Sequence, residues 1–252
     1  MTRAHLADPQ PVVSDRLRAR LEARLAARGI TTEGPAPADA PEPIPALETA
    51  QKRIPFDYRD AVADHPDVLT WVRTIVDAAV APNSGGLYPN WGGSGRRQIA
   101  HGPSLLLWGP TGTGKTHQAY GAIRALIRAG CGVRWHATTL ADLYAETRPR
   151  PGTDPEFLLR RIARVPLLFL DDLGAARATE WTEELNFRLV NWRAENRLPT
   201  IITSNLLPVR TADVKTQPVV LRDKVGDRVL SRLSGMCTSV EFSGPDRRYP
   251  RR

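Results

Sequence analysis

The sequence has 252 residues, which suits one domain of ordinary size with an appendage. Apolar residues make up 41% of it, but no run reaches the ~18 uninterrupted apolar residues that a membrane span requires. The chain begins without an apolar secretory segment, and its two cysteines, Cys131 and Cys237, exclude a disulfide framework and a cysteine metal quartet. We therefore expect a cytoplasmic protein with no membrane partner.

The net charge is +8 and the isoelectric point is near 10.1, as in proteins that neutralise nucleic-acid phosphates. Only four of the 35 basic residues are lysines, and alanine and proline are abundant. This bias is also typical of GC-rich coding, so the charge alone leaves both explanations open.

The first 55 residues are predicted to form a helix and a linker. Ser14 is a suitable N-cap, leucines recur at every fourth position over residues 14–28, and Gly29 follows as a stop. So narrow an apolar stripe does not fold alone, so this helix either binds a partner or lies on the main domain. We interpret residues 1–30 as a helical segment that binds a partner. Six prolines in residues 31–55 predict an extended, semi-rigid linker.

From residue 56 onward the pattern is that of one globular domain, residues 56–252. A helix is predicted over 67–80 and a glycine-rich loop over 82–103. Short apolar runs then alternate with amphipathic stretches, which predicts an α/β fold with a five-stranded parallel sheet flanked by helices. The predicted strands are 104–108, 133–136, 166–170, 199–203 and 238–242, and the predicted helices are 115–129, 139–147, 155–164, 179–196 and 222–233.

The strongest motif is a P-loop between the first strand and the next helix. Its glycines allow backbone N–H groups to turn toward phosphates at a helix N-terminus, where the dipole favours anions. Lys115 is expected to reach the β- and γ-phosphates of ATP, and the Thr116 hydroxyl to bind Mg²⁺. The motif predicts an ATP-binding loop made of Gly109, Pro110, Thr111, Gly112, Thr113, Gly114, Lys115 and Thr116.

A second motif, VPLLFLDDLG at 165–174, places two carboxylates at the end of a buried strand. Burying them there is costly unless they face a cation or water. Asp171 is predicted to hold Mg²⁺ and Asp172 to act as the general base on the attacking water, as in a Walker B motif. An extra strand, 133–136, lies between the two motifs in the sequence, so the strand that carries the two acids is not expected to lie next to the P-loop strand in the sheet. Strand 199–203 would lie between them and bring Asn205 to the γ-phosphate.

The ordered set GPTGTGKTH, LLFLDDLG, PTIITSNL, GDRVLSRL and SGPDRR resembles the DnaC/IstB group of AAA+ ATPases, over about residues 56–248. This group includes replicative helicase loaders and transposition helper ATPases. By this resemblance Arg232 is the arginine finger that reaches a neighbouring subunit's γ-phosphate, with Arg228 as the alternative. Arg248 matches the sensor II arginine, and Arg247 is the alternative candidate for that role.

The resemblance implies an ATP hydrolase that self-assembles into a ring or spiral, binds single-stranded DNA and loads a replicative DNA helicase, which residues 14–28 would contact. It implies that residues 138–164 face the DNA through five arginines, Arg148, Arg150, Arg160, Arg161 and Arg164. The alternative is an IstB-like transposition helper acting on duplex DNA. Because Asp172 is shorter than the glutamate common at this position, a binding module that does not hydrolyse ATP also stays open.

Overall fold

The computed structural model describes residues 51–80, 97–152, 154–210 and 219–248. The predicted helix at 14–28, the linker up to residue 50 and most of the glycine-rich loop lie outside the described residues. Residues 51–55 were expected at the end of the linker, but residues 51 and 52 are helical and Ile54, alone among the five, is buried. Ile54 donates its N–H to the Gln51 carbonyl (3.0 Å) and is 2% exposed in the core, so apolar packing begins before the predicted boundary.

Five strands form one parallel sheet: β1 (Ser104–Trp108), β2 (Trp135–Thr139), β3 (Leu167–Asp171), β4 (Thr200–Ser204) and β5 (Cys237–Glu241). Their order across the sheet is β2-β3-β4-β1-β5. The predicted position of the strand before Asn205 is confirmed, because β4 lies between β3 and the P-loop strand β1. The strand predicted at 133–136 begins two residues later and ends three residues later, since pairing with β3 continues through threonines beyond the apolar run.

Six helices flank the sheet within the described residues, and most begin at a side-chain cap. The Thr139 hydroxyl accepts the Asp142 N–H (3.1 Å), the Asp154 carboxylate accepts the Phe157 N–H (3.0 Å), and Thr179 forms a capping box. The helices are α1 (Pro66–Ala78), α2 (Lys115–Arg128), α3 (Leu140–Thr147), α4 (Pro155–Ala163), α5 (Glu180–Glu195) and α6 (Leu221–Met236). The last is interrupted at Gly226, which the sequence did not predict.

The helices cover the two faces of the sheet with separate apolar cores. Helices α1 and α2 pack with Leu105, Leu107 and Phe169 on one face, and α3 to α6 pack with Leu106, Leu168 and neighbouring residues on the other. Because both faces are covered, β1 and β3 are nearly continuous apolar runs, whereas the edge strands β2 and β5 are more polar. None of the helices within the described residues could span a bilayer.

Because the sheet is parallel, the carboxyl ends of β1, β3 and β4 lie at the same edge, where ligands of such sheets bind.

Candidate nucleotide-binding site

A cleft of about 650 Å³ opens at this edge of the sheet. It brings together the P-loop, the acids after β3, the amide after β4 and the basic pair near the C-terminus. Its lining residues are Asp57, Tyr58, Thr111, Gly112, Gly114, Lys115, Thr116, His117, Asp171, Asp172, Asn205, Arg247 and Arg248.

The P-loop backbone is held open by glycines and is closely covered by the segment that follows β5. Gly109 has φ +141°, and a Cβ there would lie 1.9 Å from the Phe242 carbonyl oxygen. Gly112 has φ +81°, and its Cβ would lie 2.0 Å from the Asp246 carboxylate. Both positions therefore require glycine. The Thr113 hydroxyl donates to the Pro110 carbonyl (2.9 Å) and closes the loop.

Lys115 begins α2 and is 5% exposed. Its ammonium donates to the carbonyl oxygens of Gly109 (2.8 Å) and Pro110 (2.7 Å). Burial, and to a smaller extent the charge of Arg248, lower the pKa of Lys115, while Asp172 and Asp171 act against this shift. The flexible stem allows this compact charge to exchange loop carbonyls for phosphate oxygens.

Thr116 and Asp171 form the expected pair of hard oxygen ligands. The Thr116 hydroxyl donates to Asp171 Oδ1 at 3.1 Å. Mg²⁺ prefers oxygen ligands and keeps several of its waters, so the Thr116 hydroxyl and the Asp171 carboxylate fit the chemistry of such a site. Burial and then the Asp172 charge raise the pKa of Asp171, whereas hydrogen bonds from Thr203 and Thr116 lower it. A cation at this position would favour the ionised form.

Asp172 and Asn205 are in contact, a pairing that the sequence did not predict, although the expected order of the strands brings the ends of β3 and β4 side by side. Asn205 Nδ2 donates to Asp172 Oδ1 at 3.0 Å. Asp172 has φ +58°, a left-handed conformation that is uncommon outside glycine. The bend separates the directions of the two successive acids, so that Asp171 contacts Thr116 while Asp172 faces the amide of Asn205.

The basic residues near the C-terminus reach the P-loop through backbone contacts. The Arg247 N–H donates to the Gly112 carbonyl (2.9 Å), and the Arg248 N–H donates to Asp246 Oδ1 (2.9 Å). Both arginine side chains line the cleft. Positive charge at these positions favours a bound polyphosphate.

Two other sets of predicted arginines do not line the cleft. Arg232 is exposed on α6, and Arg228 places its guanidinium 3.6 Å from the centre of the Phe187 ring. The five arginines expected to face DNA are all exposed, but Arg160 pairs with Glu156 (3.2 Å) and Arg164 lies over the Trp192 ring (5.3 Å).

Sequence reasoning missed four residues of the site. Asp57, Tyr58 and His117 line the cleft, the first two from a short 3-10 helix, Phe56–Tyr58. The Tyr58 ring stacks on Tyr120 with centroids 4.7 Å apart, and burial and then the Asp171 charge raise the pKa of Tyr58. Thr203, inside β4, bonds to both acids. Asp57 and Tyr58 lie outside every motif, His117 follows the P-loop without an assigned role, and an isolated threonine in a strand gives no signal.

A parallel sheet in this order, with a P-loop after β1 and paired acids after β3, defines an AAA+ P-loop ATPase fold. The family of IstB-like ATP binding proteins matches residues 97–251, and the chain belongs to this family. Nucleotide binding is therefore a property of the family as well as of the cleft.

Similar proteins include an ATP-binding protein in an insertion sequence of Mycobacterium tuberculosis, 30% identical over 158 residues, which are 62% of this chain and 60% of that protein. An insertion sequence ATP-binding protein of Sinorhizobium fredii is 33% identical over 113 residues, 44% of this chain and 37% of that one. The chain thus spans less than two thirds of either relative. A crystal structure of the DnaC helicase loader matches with a TM-score of 0.54 and 23% identity over 75% of this chain and 100% of the other, which shows the fold.

Proposed function

We propose that this chain hydrolyses Mg²⁺-bound ATP and uses the cycle to load a replicative DNA helicase onto single-stranded DNA. One observation carries the hydrolysis: the Thr116–Asp171 and Asp172–Asn205 pairs line the same cleft as Lys115. Metal ligands, a base and a phosphate-binding cation are the parts that phosphoryl transfer to water requires.

Each residue has a task that follows from its position. The P-loop amides and Lys115 hold the β- and γ-phosphates, and Thr116 and Asp171 hold the metal. When bound, Mg²⁺ neutralises phosphate charge and fixes the orientation of the phosphates. Asp172 accepts a proton from the attacking water, and Asn205 keeps that carboxylate oriented. Arg248, beside Lys115, adds positive charge to stabilise the transition state.

Assembly would complete the site. Arg232 is exposed and does not line its own cleft, as required of a finger that serves a neighbouring subunit in a ring or spiral. A residue supplied in this way makes hydrolysis depend on oligomer formation. Arg228 is the weaker candidate, since its guanidinium already stacks on Phe187 of the same chain.

The proposed contact with single-stranded DNA is made by the exposed arginines of α4 and of the segment before it, namely Arg148, Arg150, Arg160, Arg161 and Arg164. Phosphate contacts of this kind give salt-dependent affinity without sequence preference. The proposed helicase contact is the leucine stripe of residues 14–28, tethered by the proline-rich segment.

A transposition helper that acts on duplex DNA is the second candidate. Two relatives at 30% and 33% identity are insertion-sequence proteins, which favours it. The ATPase motifs are common to both candidates, and helicase loading is supported by the leucine stripe on its proline-rich tether, which suits binding to a large partner.

The test uses the full chain and the variant Leu21→Asp, which places a charge in the leucine stripe. We expect ATP turnover stimulated by single-stranded DNA, and capture of a purified replicative helicase by the unaltered chain but not by Leu21→Asp. Basal ATP turnover should be equal in the two proteins and serves as the folding control. Capture of the transposase alone, with stimulation by duplex DNA alone, would support the second candidate. Absence of turnover under every condition would exclude both.

A further inference from the structure

Thr203 lies inside β4, two residues before Asn205, and is 1% exposed. Its hydroxyl makes two hydrogen bonds, one to each acid of the site. Oγ1 donates to Asp171 Oδ1 at 2.5 Å and accepts the backbone N–H of Asp172 at 2.9 Å. A hydroxyl has one proton, so the bond to the carboxylate uses its whole donor capacity.

The two bonds act on different properties of the site. The short bond to Asp171 is charge-assisted and fixes the direction of that carboxylate, which also accepts from Thr116. The bond to the Asp172 N–H holds that residue's backbone in the left-handed region, which is strained for a residue with a Cβ. A donor and an acceptor bond on one hydroxyl also polarise each other.

We propose that Thr203 is a positioning residue that couples metal binding at Asp171 to water activation at Asp172 through its single hydroxyl. This inference rests on the proposed function, because it assigns Thr203 a role in that same site. Thr203 is not among the residues that line the cleft. It acts through the two carboxylates, in the way that groups behind metal ligands set the orientation and affinity of those ligands.

The alternative is that a β-branched residue is needed only to fill space in the strand. Two substitutions separate these explanations. Thr203→Val keeps the shape and removes both hydrogen bonds, whereas Thr203→Ser keeps the hydroxyl and removes a methyl group. If the hydrogen bonds matter, Thr203→Val should be defective and Thr203→Ser should behave like the unaltered chain. If only the filled space matters, Thr203→Ser should be defective and Thr203→Val should behave like the unaltered chain.

The experiment measures binding of a fluorescent ATP analogue to the full chain in EDTA and over a series of Mg²⁺ concentrations, together with ATP turnover. For Thr203→Val we expect unchanged affinity in EDTA and a 10–100-fold higher Mg²⁺ concentration for half-maximal effect, with turnover lowered by a similar factor. Thr203→Ser should stay within about threefold of the unaltered chain. If circular dichroism shows that Thr203→Val is unfolded, Thr203→Cys replaces it, since its thiol is a weak donor of similar size.

Three results would overturn the proposal: an unchanged Mg²⁺ requirement in Thr203→Val, an equal defect in Thr203→Ser, or a loss of affinity in EDTA as large as the loss in Mg²⁺. The binding measurements need no turnover. A chain that binds the analogue with Mg²⁺ enhancement but never hydrolyses ATP would therefore contradict the proposed function, while the Mg²⁺ requirement of Thr203→Val still decides for or against Thr203.

Discussion

Asn205 Nδ2 lies 3.0 Å from Asp172 Oδ1, although each of the two residues follows a different strand and 32 others separate them. The contact joins the expected general base to the amide that was expected to reach the γ-phosphate. It depends on β3 and β4 being neighbours and on the left-handed bend at Asp172.

We expect Asp172→Asn to bind ATP normally and to lower kcat by ~10²–10⁴-fold, because a positioned general base contributes about that factor. Asn205→Ala should lower kcat by about ten- to hundredfold, since one hydrogen bond to a charged group contributes ~1.5–3 kcal/mol. Steady-state turnover and analogue binding measure both effects. Asp77→Asn, at an exposed position of α1, is the matched control. Normal kcat in Asp172→Asn would exclude Asp172 as the base.

Much of this arrangement could be predicted from the sequence, because the motifs that form it are short and continuous in the chain. The P-loop and the DD pair each occupy one continuous stretch, and alternating strands and helices place their ends at one edge of the sheet. Thr203 and Tyr58 could not be predicted, because their roles depend on which residue faces them across the sheet or on α2. The Arg228–Phe187 contact could likewise not be predicted, since it joins two helices that are far apart in the chain.

Gly121 on α2 packs against the backbone of residues 62–63, where an added Cβ would lie 2.4 Å from the Ala63 nitrogen. We expect Gly121→Ala to lower the free energy of unfolding by ~1–3 kcal/mol, because backbone atoms cannot move aside cheaply. Gly235→Ala on α6 is the matched control, since its Cβ meets nothing within 4 Å and should stabilise the helix by up to ~1 kcal/mol. Urea unfolding measures both. Equal effects would mean that segment 62–63 does not pack tightly on α2.

Arg193, on α5, is 1% exposed. It holds the segments where β3 and β4 begin, at the opposite end of these strands from the site. Its guanidinium donates to the Ala163, Val165 and Pro199 carbonyls and to the Thr200 hydroxyl at 2.7–2.9 Å. We expect Arg193→Lys to lower the free energy of unfolding by at least ~3 kcal/mol, because one ammonium cannot reproduce the planar fork and leaves buried acceptors unpaired.

Urea unfolding checks this, with Arg73→Lys on the exposed side of α1 as the control. A lysine variant as stable as the unaltered chain would show that the fork geometry is not required.

Arg248 is expected to bind phosphate, because its charge contributes to lowering the pKa of Lys115 and both side chains line the cleft. We expect Arg248→Ala to weaken ATP binding by about tenfold or more and ADP binding less, since a contact to the γ-phosphate is absent with ADP. Arg247→Ala is the comparison, and competition titrations with the two nucleotides measure the ratio. If Arg247→Ala alone changes the preference for ATP over ADP, the two roles are exchanged.

The finger assignment can be tested by mixing two inactive variants. Lys115→Ala should not bind ATP, and Arg232→Ala should bind ATP but lose stimulated turnover by ~10³-fold or more. Because the finger serves the neighbouring subunit, a mixed assembly contains interfaces that pair an intact P-loop with an intact Arg232, and turnover should partly return on mixing. Arg228→Ala is the control and should keep stimulated turnover, although it loses the contact with Phe187. Full activity of Arg232→Ala alone, or no recovery in mixtures that assemble normally, would contradict a finger acting between subunits.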